Sequence, residues 1–387
     1  MSRIKVPAAV ALCAVLLGAV CSEAAVGEQR ADRTLHAALA RLVHMRAGPP
    51  GVAVVVQRGH RLTYRTAGER EVRGHRRWRR ADHMRIASVS KAFSGAVALS
   101  LVDRGRLGLG DTIGELLPGL SAKWRAVTLG EALHHTSGLP DYTESDAFRN
   151  SLGGHPHRHL TPRALIDFVK KEKLDFKPGT QYDYSNTDNI VVAMMARVAA
   201  HERSYRSLLR SRVLDPLALR RTSLPGGFRL PRPFVHGYIL DPPRRPNDVS
   251  TMFSVSGAWA SGGIQSTASN LNRFIRAYVG GRLFGHAAQR RQFRFVAGSS
   301  DPPGPGLNSA GLAIFRYRTR CGTVYGHTGS FPGYTQLAAA TRSGRRSLTV
   351  SVNEQLGPVS ASPAERAAFR ALRGVETRVV CAALRKG

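Results

Sequence analysis

Residues 85–97 read RIASVSKAFSGAV, a small and apolar run that carries Lys91 three positions after Ser88. A buried ammonium is costly because it loses its hydration, so a lysine in such a run needs an explanation. If the run is helical, residues three apart share one face, and the amine of Lys91 can contact the hydroxyl of Ser88. The stretch therefore indicates a candidate nucleophile and its base.

Strands and helices are predicted on either side of this stretch. Residues 51–68 contain a β-branched run, a turn at Arg58-Gly59 and a second alternating run, which predicts a hairpin. Residues 91–103 are rich in Ala, Leu and Val and predict a helix buried on most sides. From about 110 to 280, mostly helical segments alternate with Gly and Pro loops.

The last part of the chain returns to strands. Four short strands are predicted at 312–317, 322–327, 334–340 and 347–352, followed by a helix at 362–374. We therefore expect an α+β fold in which one antiparallel sheet is built from the N-terminal part (about 45–85) and the C-terminal part (about 305–387). Helices flank this sheet, and the mostly helical region is inserted between its two halves.

The N-terminus has the three-part pattern of a secretory signal. Arg3 and Lys5 form a charged start, residues 6–20 are almost unbroken apolar, and residues 22–24 form a small-residue cleavage site. We expect residues 1–24 to be removed, which would leave residues 25–387 as one secreted, extracellular domain. No later stretch is apolar for long enough to span a bilayer.

Removal of the signal would leave an even pair of cysteines, Cys321 and Cys381. In an oxidising compartment the simplest expectation is one disulfide, which would tie the C-terminal tail to a strand and close a loop of about 60 residues. Two unpaired buried thiols are the alternative. A lipid anchor on Cys21 is disfavoured because Val20 stands where such sites have Gly or Ala.

The formal net charge of +31 suggests an anionic partner. Only eight of the 57 basic residues are lysines, and the arginines are spread over much of the chain, as a coding bias toward arginine would also produce. With an export signal and no nucleic-acid module, attraction to anionic polymers of a cell envelope is a better explanation than nucleic-acid binding.

Two downstream motifs accompany Ser88 and Lys91. They are Tyr184-Ser185-Asn186 and His327-Thr328-Gly329. A Ser-x-x-Lys match alone is weak, since residues 2–5 also match. The three elements together resemble the serine penicillin-recognising hydrolases, the superfamily of DD-peptidases, class C β-lactamases and related esterases. Residues 129–143, residues 261–274 and the cysteine pair resemble their counterparts in secreted, soluble D-alanyl-D-alanine carboxypeptidases.

The resemblance implies covalent catalysis without a metal or other cofactor. Ser88 would be the nucleophile, placed at a helix N-terminus that favours developing negative charge. Lys91, desolvated in the site, is one candidate for the base. Tyr184 is the other, as a phenolate stabilised by Lys91, and it is also placed to protonate the leaving group; coupled groups of this kind can titrate as a unit.

Further residues are expected to bind substrate. Thr328 would bind a carboxylate oxygen, Gly329 would let the backbone approach closely, and the Ser330 N–H would join that of Ser88 in an oxyanion hole. Phe148 and Trp259 are candidate cleft aromatics, for which core packing is an equal alternative. The full set of substrate-binding candidates is Asn186, His327, Thr328, Gly329, Ser330, Phe148, Trp259 and Arg316.

One position departs from the carboxypeptidase pattern. Those enzymes use an arginine on the strand before His-Thr-Gly to grip the substrate carboxylate, and here that place holds Phe315. Arg316 would substitute only if the register slips by one residue, which would reverse the face from which it points. Carboxypeptidase specificity is thus less strongly predicted than the acyl-transfer chemistry.

The leading hypothesis is a monomeric, secreted D-alanyl-D-alanine carboxypeptidase that acts on peptidoglycan-type peptides and is acylated by β-lactams as inhibitors. The missing arginine favours an alternative, a related esterase or β-lactamase acting on a small ester or amide. A non-catalytic protein that binds envelope polymers is the alternative from another class. His155, His157 and His159 alternate in a Gly/Pro loop that contains no carboxylate, so we interpret them as a solvated loop rather than a metal site.

Overall fold

The computed structural model describes residue 29 and residues 32–296, 299–358 and 362–385. The predicted signal, residues 1–24, lies outside the described residues. The strands are β1 (Gly51–Arg58), β2 (Arg61–Glu71), β3 (Arg76–Arg77), β4 (Met84–Arg85), β5 (Tyr238–Ile239), β6 (Asn247–Asp248), β7 (Gln265–Ser266), β8 (Leu307–Gly311), β9 (Ile314–Thr319), β10 (Gly322–Phe331), β11 (Tyr334–Ala340) and β12 (Arg346–Val352).

Twelve α-helices lie in the described parts of the chain, and single 3-10 turns separate some of them. They are α1 (32–43), α2 (Ser90–Asp103), α3 (Ile113–Leu116), α4 (Leu129–His134), α5 (Asp146–Gly154), α6 (Pro162–Asp167), α7 (Asn186–Ala199), α8 (Tyr205–Leu209), α9 (Trp259–Gly262), α10 (Ala268–Val279), α11 (His286–Gln292) and α12 (Pro363–Leu384).

One eight-stranded antiparallel sheet is the centre of the fold. Its order is β3-β2-β1-β12-β11-β10-β9-β8, so strands from the two ends of the chain meet where β1 pairs with β12. This arrangement confirms the predicted α+β fold. Two buried cores lie on the two faces of the sheet: α1 and α12 cover one face, and the helical region covers the other. Within the helical region, every side chain of α2 from Ser90 to Leu101 is buried, as the sequence predicts.

Three details differ from the sequence expectations. Strand β8 is not among the strands predicted from the sequence; it is an edge strand whose hydrogen bonds come from pairing with β9. Strand β4 lies at the end of the N-terminal part that was predicted to join the main sheet, but it pairs with β7 in a separate two-stranded sheet. Helix α12 continues past Gly374 to Leu384, since Val379 and Val380 are fully buried in the core against the sheet. An isolated glycine is therefore tolerated here within a long helix rather than ending it.

A disulfide joins Cys321 and Cys381, with 5.2 Å between their Cα atoms. Cys321 lies in the turn between β9 and β10, and Cys381 lies on α12. The link therefore ties the last helix to a hairpin turn rather than a tail to a strand. Among the described residues, no helix is long and apolar enough to cross a membrane.

Candidate active site

Ser88 lies in a 3-10 turn, Ala87–Val89, directly ahead of α2. Ala87 has a φ of 51°, in the left-handed region that a residue with a side chain adopts at a cost. The strained turn presents Ser88, half-buried, at the entrance of a cleft. The Nζ atom of Lys91 lies 3.4 Å from Ser88 Oγ, which is the contact that the three-residue spacing predicts.

The amine of Lys91 is completely buried and touches three oxygen atoms. Besides Ser88 Oγ, Nζ donates to Asn186 Oδ1 at 2.6 Å and to the carbonyl oxygen of Ser261 at 3.0 Å. Burial lowers the pKa of Lys91 to about 7, although the charges of Asp141 and Asp188 act to raise it. In a large fraction of the molecules, the Lys91 amine is therefore neutral near pH 7.

A neutral amine has two N–H bonds and one lone pair. The oxygens of Asn186 and Ser261 that face Lys91 can only accept, so they take both hydrogens. The lone pair is left for the third direction, toward the hydroxyl of Ser88. This arrangement suits removal of the serine proton.

The ring of Tyr184 lies 4.8 Å from Lys91 Nζ. Its hydroxyl is buried and lies beside that of Ser88. Burial raises the pKa of Tyr184 well above its usual value, and the neighbouring hydroxyl of Ser88 lowers it by less. The side chain is therefore a phenol that can donate a proton, rather than a phenolate that can remove one.

Strand β10 passes close to the turn that carries Ser88. Ser330 is exposed on this strand, and its hydroxyl accepts from Gln355 at 3.2 Å. Thr328 is largely buried, and its side chain lies beside the buried hydroxyl of Tyr317. Burial lowers the pKa of His327 to about 3, so this histidine is neutral at ordinary pH.

The cleft beside Ser88 has a volume of about 310 Å³. No charged side chain lines it within the described part of the chain. Phe148 is among its lining residues, whereas Trp259 is not and packs on Tyr205 with 5.1 Å between ring centroids. The lining residues are Ala87, Ser88, Tyr142, Thr143, Phe148, Leu152, Asn186, Phe253, Ser254, Gly257, Ala258, Ser261, Gly262, Ser330, Phe331, Pro332 and Gln355.

Arg316 does not reach this cleft. Its guanidinium lies 4.6 Å from the ring centroid of Phe295 and donates to the hydroxyl of Ser309. Phe315, its neighbour on β9, points to the opposite face of the sheet, where it is buried in the core with α12. Neither residue lines the cleft, although the ring of Phe315 packs edge-on against that of His327, with 5.0 Å between ring centroids.

Two supporting groups are not predicted by the motifs. Asp141 accepts hydrogen bonds from the backbone and side-chain nitrogens of Asn186. His135 lies beneath Tyr184, with 4.5 Å between ring centroids, and its Nδ1 is 2.9 Å from Asp188 Oδ2. Burial lowers the pKa of His135 to about 3, so this histidine is neutral at ordinary pH, and burial also raises the pKa of Asp188. From the sequence, Asp141 only indicates the start of a helical turn.

The histidine-rich loop at 155–159 is separate from this site. The ring of His157 stacks on Phe228 at 3.9 Å, and its Nε2 bonds to the carbonyl oxygen of Thr251. Across the described residues, no group of three or more His, Cys, Asp or Glu side chains is arranged to hold a metal ion.

Comparison with known proteins gives a consistent class. The chain is 24% identical over 317 residues to penicillin-binding protein 4* of Bacillus subtilis, covering 79% of this chain and 68% of that protein. It is 25% identical to the D-alanyl-D-alanine-carboxypeptidase/endopeptidase AmpH of Escherichia coli, covering 66% and 67%. The structure superposes on a D-stereospecific amidohydrolase from Streptomyces with a TM-score of 0.73 and 30% identity, covering 84% and 94%.

The sequence model of the Beta-lactamase family matches residues 31–373, so the chain belongs to that family. It is a serine hydrolase of the β-lactamase and penicillin-binding-protein class, as the motifs predict. One of these relatives is named as a carboxypeptidase/endopeptidase and another as an amidohydrolase, so membership of the family leaves the substrate to be argued from the cleft.

Proposed function

We propose that this protein hydrolyses amide bonds through an acyl-enzyme on Ser88, and that its substrates carry an uncharged group on the leaving side. The single observation that carries the chemistry is the position of the Lys91 amine, whose two acceptors leave its lone pair for Ser88. The absence of charged lining residues in the described cleft supports the substrate class.

In the proposed mechanism, neutral Lys91 takes the proton of Ser88 as Oγ attacks the acyl carbonyl. The oxyanion is bound by the backbone N–H groups of Ser88 and Ser330. The phenol of Tyr184 then gives its proton to the departing nitrogen and regains one from Lys91, so that a neutral amine leaves and an ester remains on Ser88. Water attacks this ester by the reverse proton path and releases the acid.

The cleft favours a small substrate without a terminal carboxylate. Its volume of about 310 Å³ is at the lower end of the usual range for ligand sites, which suits an amino-acid amide or a short peptide. A carboxylate moved into this cleft would lose hydration, and no lysine or arginine lines the described cleft to bind it; Lys91, which contacts Ser88, has to be neutral to act as the base. Relatives named for D-configured substrates support a D-residue on the acyl side.

D-alanyl-D-alanine carboxypeptidase activity is the second candidate. It is favoured by the hydroxyl of Ser330, which is exposed on β10, lines the cleft and can donate to a carboxylate oxygen. Its substrate would be a peptidoglycan-type peptide, and β-lactams would acylate Ser88 as substrate mimics.

A matched peptide pair separates the two candidates. One peptide ends in D-Ala-D-Ala with a free carboxylate, and the other is its C-terminal carboxamide; the D and L forms of phenylalanine amide complete the panel. We expect faster hydrolysis of the carboxamide and of the D-amide, with Ser88→Ala as the inactive control. Preference for the free carboxylate would establish the carboxypeptidase instead. No turnover or acylation with any member would favour a non-catalytic, polymer-binding protein.

We also propose export and attraction to anionic envelope polymers. The Cys321–Cys381 disulfide supports export, because structural disulfides persist in oxidising compartments. The net charge of +31 supports the attraction. N-terminal sequencing of protein recovered outside the cell should begin near Ala25, and retention on an anionic polymer should weaken steeply with salt. A species that retains residues 1–24 would contradict export with cleavage.

A further inference from the structure

Asp141 holds the carboxamide of Asn186 from the side opposite Lys91. Asp141 Oδ2 accepts from the backbone N–H of Asn186 at 2.9 Å and from its Nδ2 at 2.8 Å. Asp141 Oδ1 accepts from the backbone N–H and the hydroxyl of Thr143, each at 2.9 Å. Both carboxylate oxygens are therefore fixed, and so is the edge of Asn186 that faces them.

The orientation of Asn186 decides where the lone pair of Lys91 points. A carboxamide oxygen can only accept, and its nitrogen can only donate. In the observed orientation the oxygen faces Lys91, takes one of its hydrogens and leaves the lone pair for Ser88. If the amide turned over, Nδ2 would face Lys91, and the lone pair would accept from Asn186 instead. The base would then be unable to receive the serine proton.

We propose that Asp141 is a positioning residue for acylation: by accepting from Nδ2 it keeps the amide of Asn186 from turning over and so keeps the amine of Lys91 directed at Ser88. This inference rests on the proposed function, in which Lys91 is the base. It assigns to Asp141 a role that the sequence motifs do not indicate.

The negative charge of Asp141 also acts on the pKa of Lys91. This second effect opposes acylation, whereas the positioning of Asn186 favours it. Asp141 and Asp188 raise the pKa of Lys91, whereas the other titratable groups close to it, His135, His327 and Tyr184, are favoured in their neutral forms by burial. Loss of the Asp141 charge therefore lowers the pKa of Lys91 and leaves more of the base neutral. Electrostatics alone predicts equal or faster acylation at neutral pH, whereas the positioning role predicts slower acylation at every pH.

The test measures the acylation burst with p-nitrophenyl acetate between about pH 5 and pH 9, because this ester reports on Ser88 whatever the natural substrate is. We expect Asp141→Ala to lower the plateau rate by about 100-fold, the size of loss that misplacement of a reacting group produces. The midpoint of the acid limb should move to lower pH. Glu144→Gln removes an exposed carboxylate three residues away that does not bond Asn186, and it should leave the plateau rate unchanged.

A double variant shows whether Asp141 acts through Asn186. In an Asn186→Ala background, Asp141→Ala should change the plateau rate by less than about 3-fold, since the amide that it orients is gone. Full activity of Asp141→Ala, or the same loss in the Asn186→Ala background, would overturn the inference. If circular dichroism shows that Asp141→Ala is unfolded, Asp141→Asn replaces it, and a raised plateau rate would count against positioning. A wild-type protein that shows no Ser88-dependent release of p-nitrophenol, in a burst or at steady state, would instead refute the proposed function.

Discussion

Gly329 on β10 lies against the backbone of Ser88. A Cβ atom built on Gly329 would be 3.1 Å from the Ser88 nitrogen and 2.6 Å from the carbonyl oxygen of Ile86. The second distance is shorter than real Cβ atoms show, and the atom it meets belongs to the backbone, so the strand or the turn would have to shift. The glycine is thus what allows β10 to approach the turn that carries Ser88.

This relationship makes Gly329→Ala a test of the oxyanion pocket. We expect the acylation rate to fall by about 100-fold, because donors that are displaced by a few tenths of an ångström no longer match the developing charge. Gly110→Ala is the matched control, since a Cβ there meets nothing within 4 Å. Both rates are measured with the same ester, and a folded Gly329→Ala protein that acylates normally would show that the close approach is not needed.

The pH dependence of acylation tests the state of Lys91. Its base form exists only above its pKa, so the rate should rise with pH around a midpoint near 7 and then level off. Tyr184 should not contribute a midpoint in this range, because burial raises its pKa. A midpoint at the usual pKa of a carboxyl group would assign the base to another residue.

Substitution of Lys91 and Tyr184 tests whether they act together. We expect Lys91→Met and Tyr184→Phe each to slow acylation by about 10³-fold, within the range for general acid–base groups. The double variant should be little worse than either single one, because residues that act as one unit are not additive. Melting temperatures should change little, since a buried ammonium contributes little net stability. Near-normal acylation by a much less stable Lys91→Met would make Lys91 a structural residue.

Reduction of the Cys321–Cys381 disulfide tests its role in stability. The link spans a sequence separation of 60 residues, for which the chain-entropy relation gives about 4 kcal/mol of unfolding free energy. Thermal melts with and without reductant should therefore differ by several degrees, and Cys321→Ser with Cys381→Ser should reproduce the reduced protein. Two titratable thiols in the untreated protein would rule the link out.

The sequence predicted the parts of the site that depend on local spacing. Ser88 and Lys91 are three residues apart on a helical turn, and this alone brings their side chains into contact. Strand β11 (Tyr334–Ala340) was also predicted to the residue, because its apolar run is bounded by clear turn residues. Such features are encoded within a few neighbouring positions.

What the sequence did not reveal depends on long-range contacts. Asp141 meets Asn186 only because α7 packs beside the turn before α5, across 45 positions of the chain. The side chain of Arg316 is directed away from the cleft by Phe295 and Ser309, which a local alignment does not show. Strand β8 has no hydrophobic alternation of its own. It forms because its backbone pairs with that of β9 in the antiparallel sheet.

Mass spectrometry of the acylated protein tests the central claim most directly. The intact protein is incubated with a labelled penicillin and with p-nitrophenyl acetate, digested, and the modified peptide is sequenced. The account predicts one adduct, on Ser88, which is absent from Ser88→Ala although that variant keeps its fold. An adduct on any other residue, or an unmodified Ser88 in a protein that still turns over the ester, would contradict it.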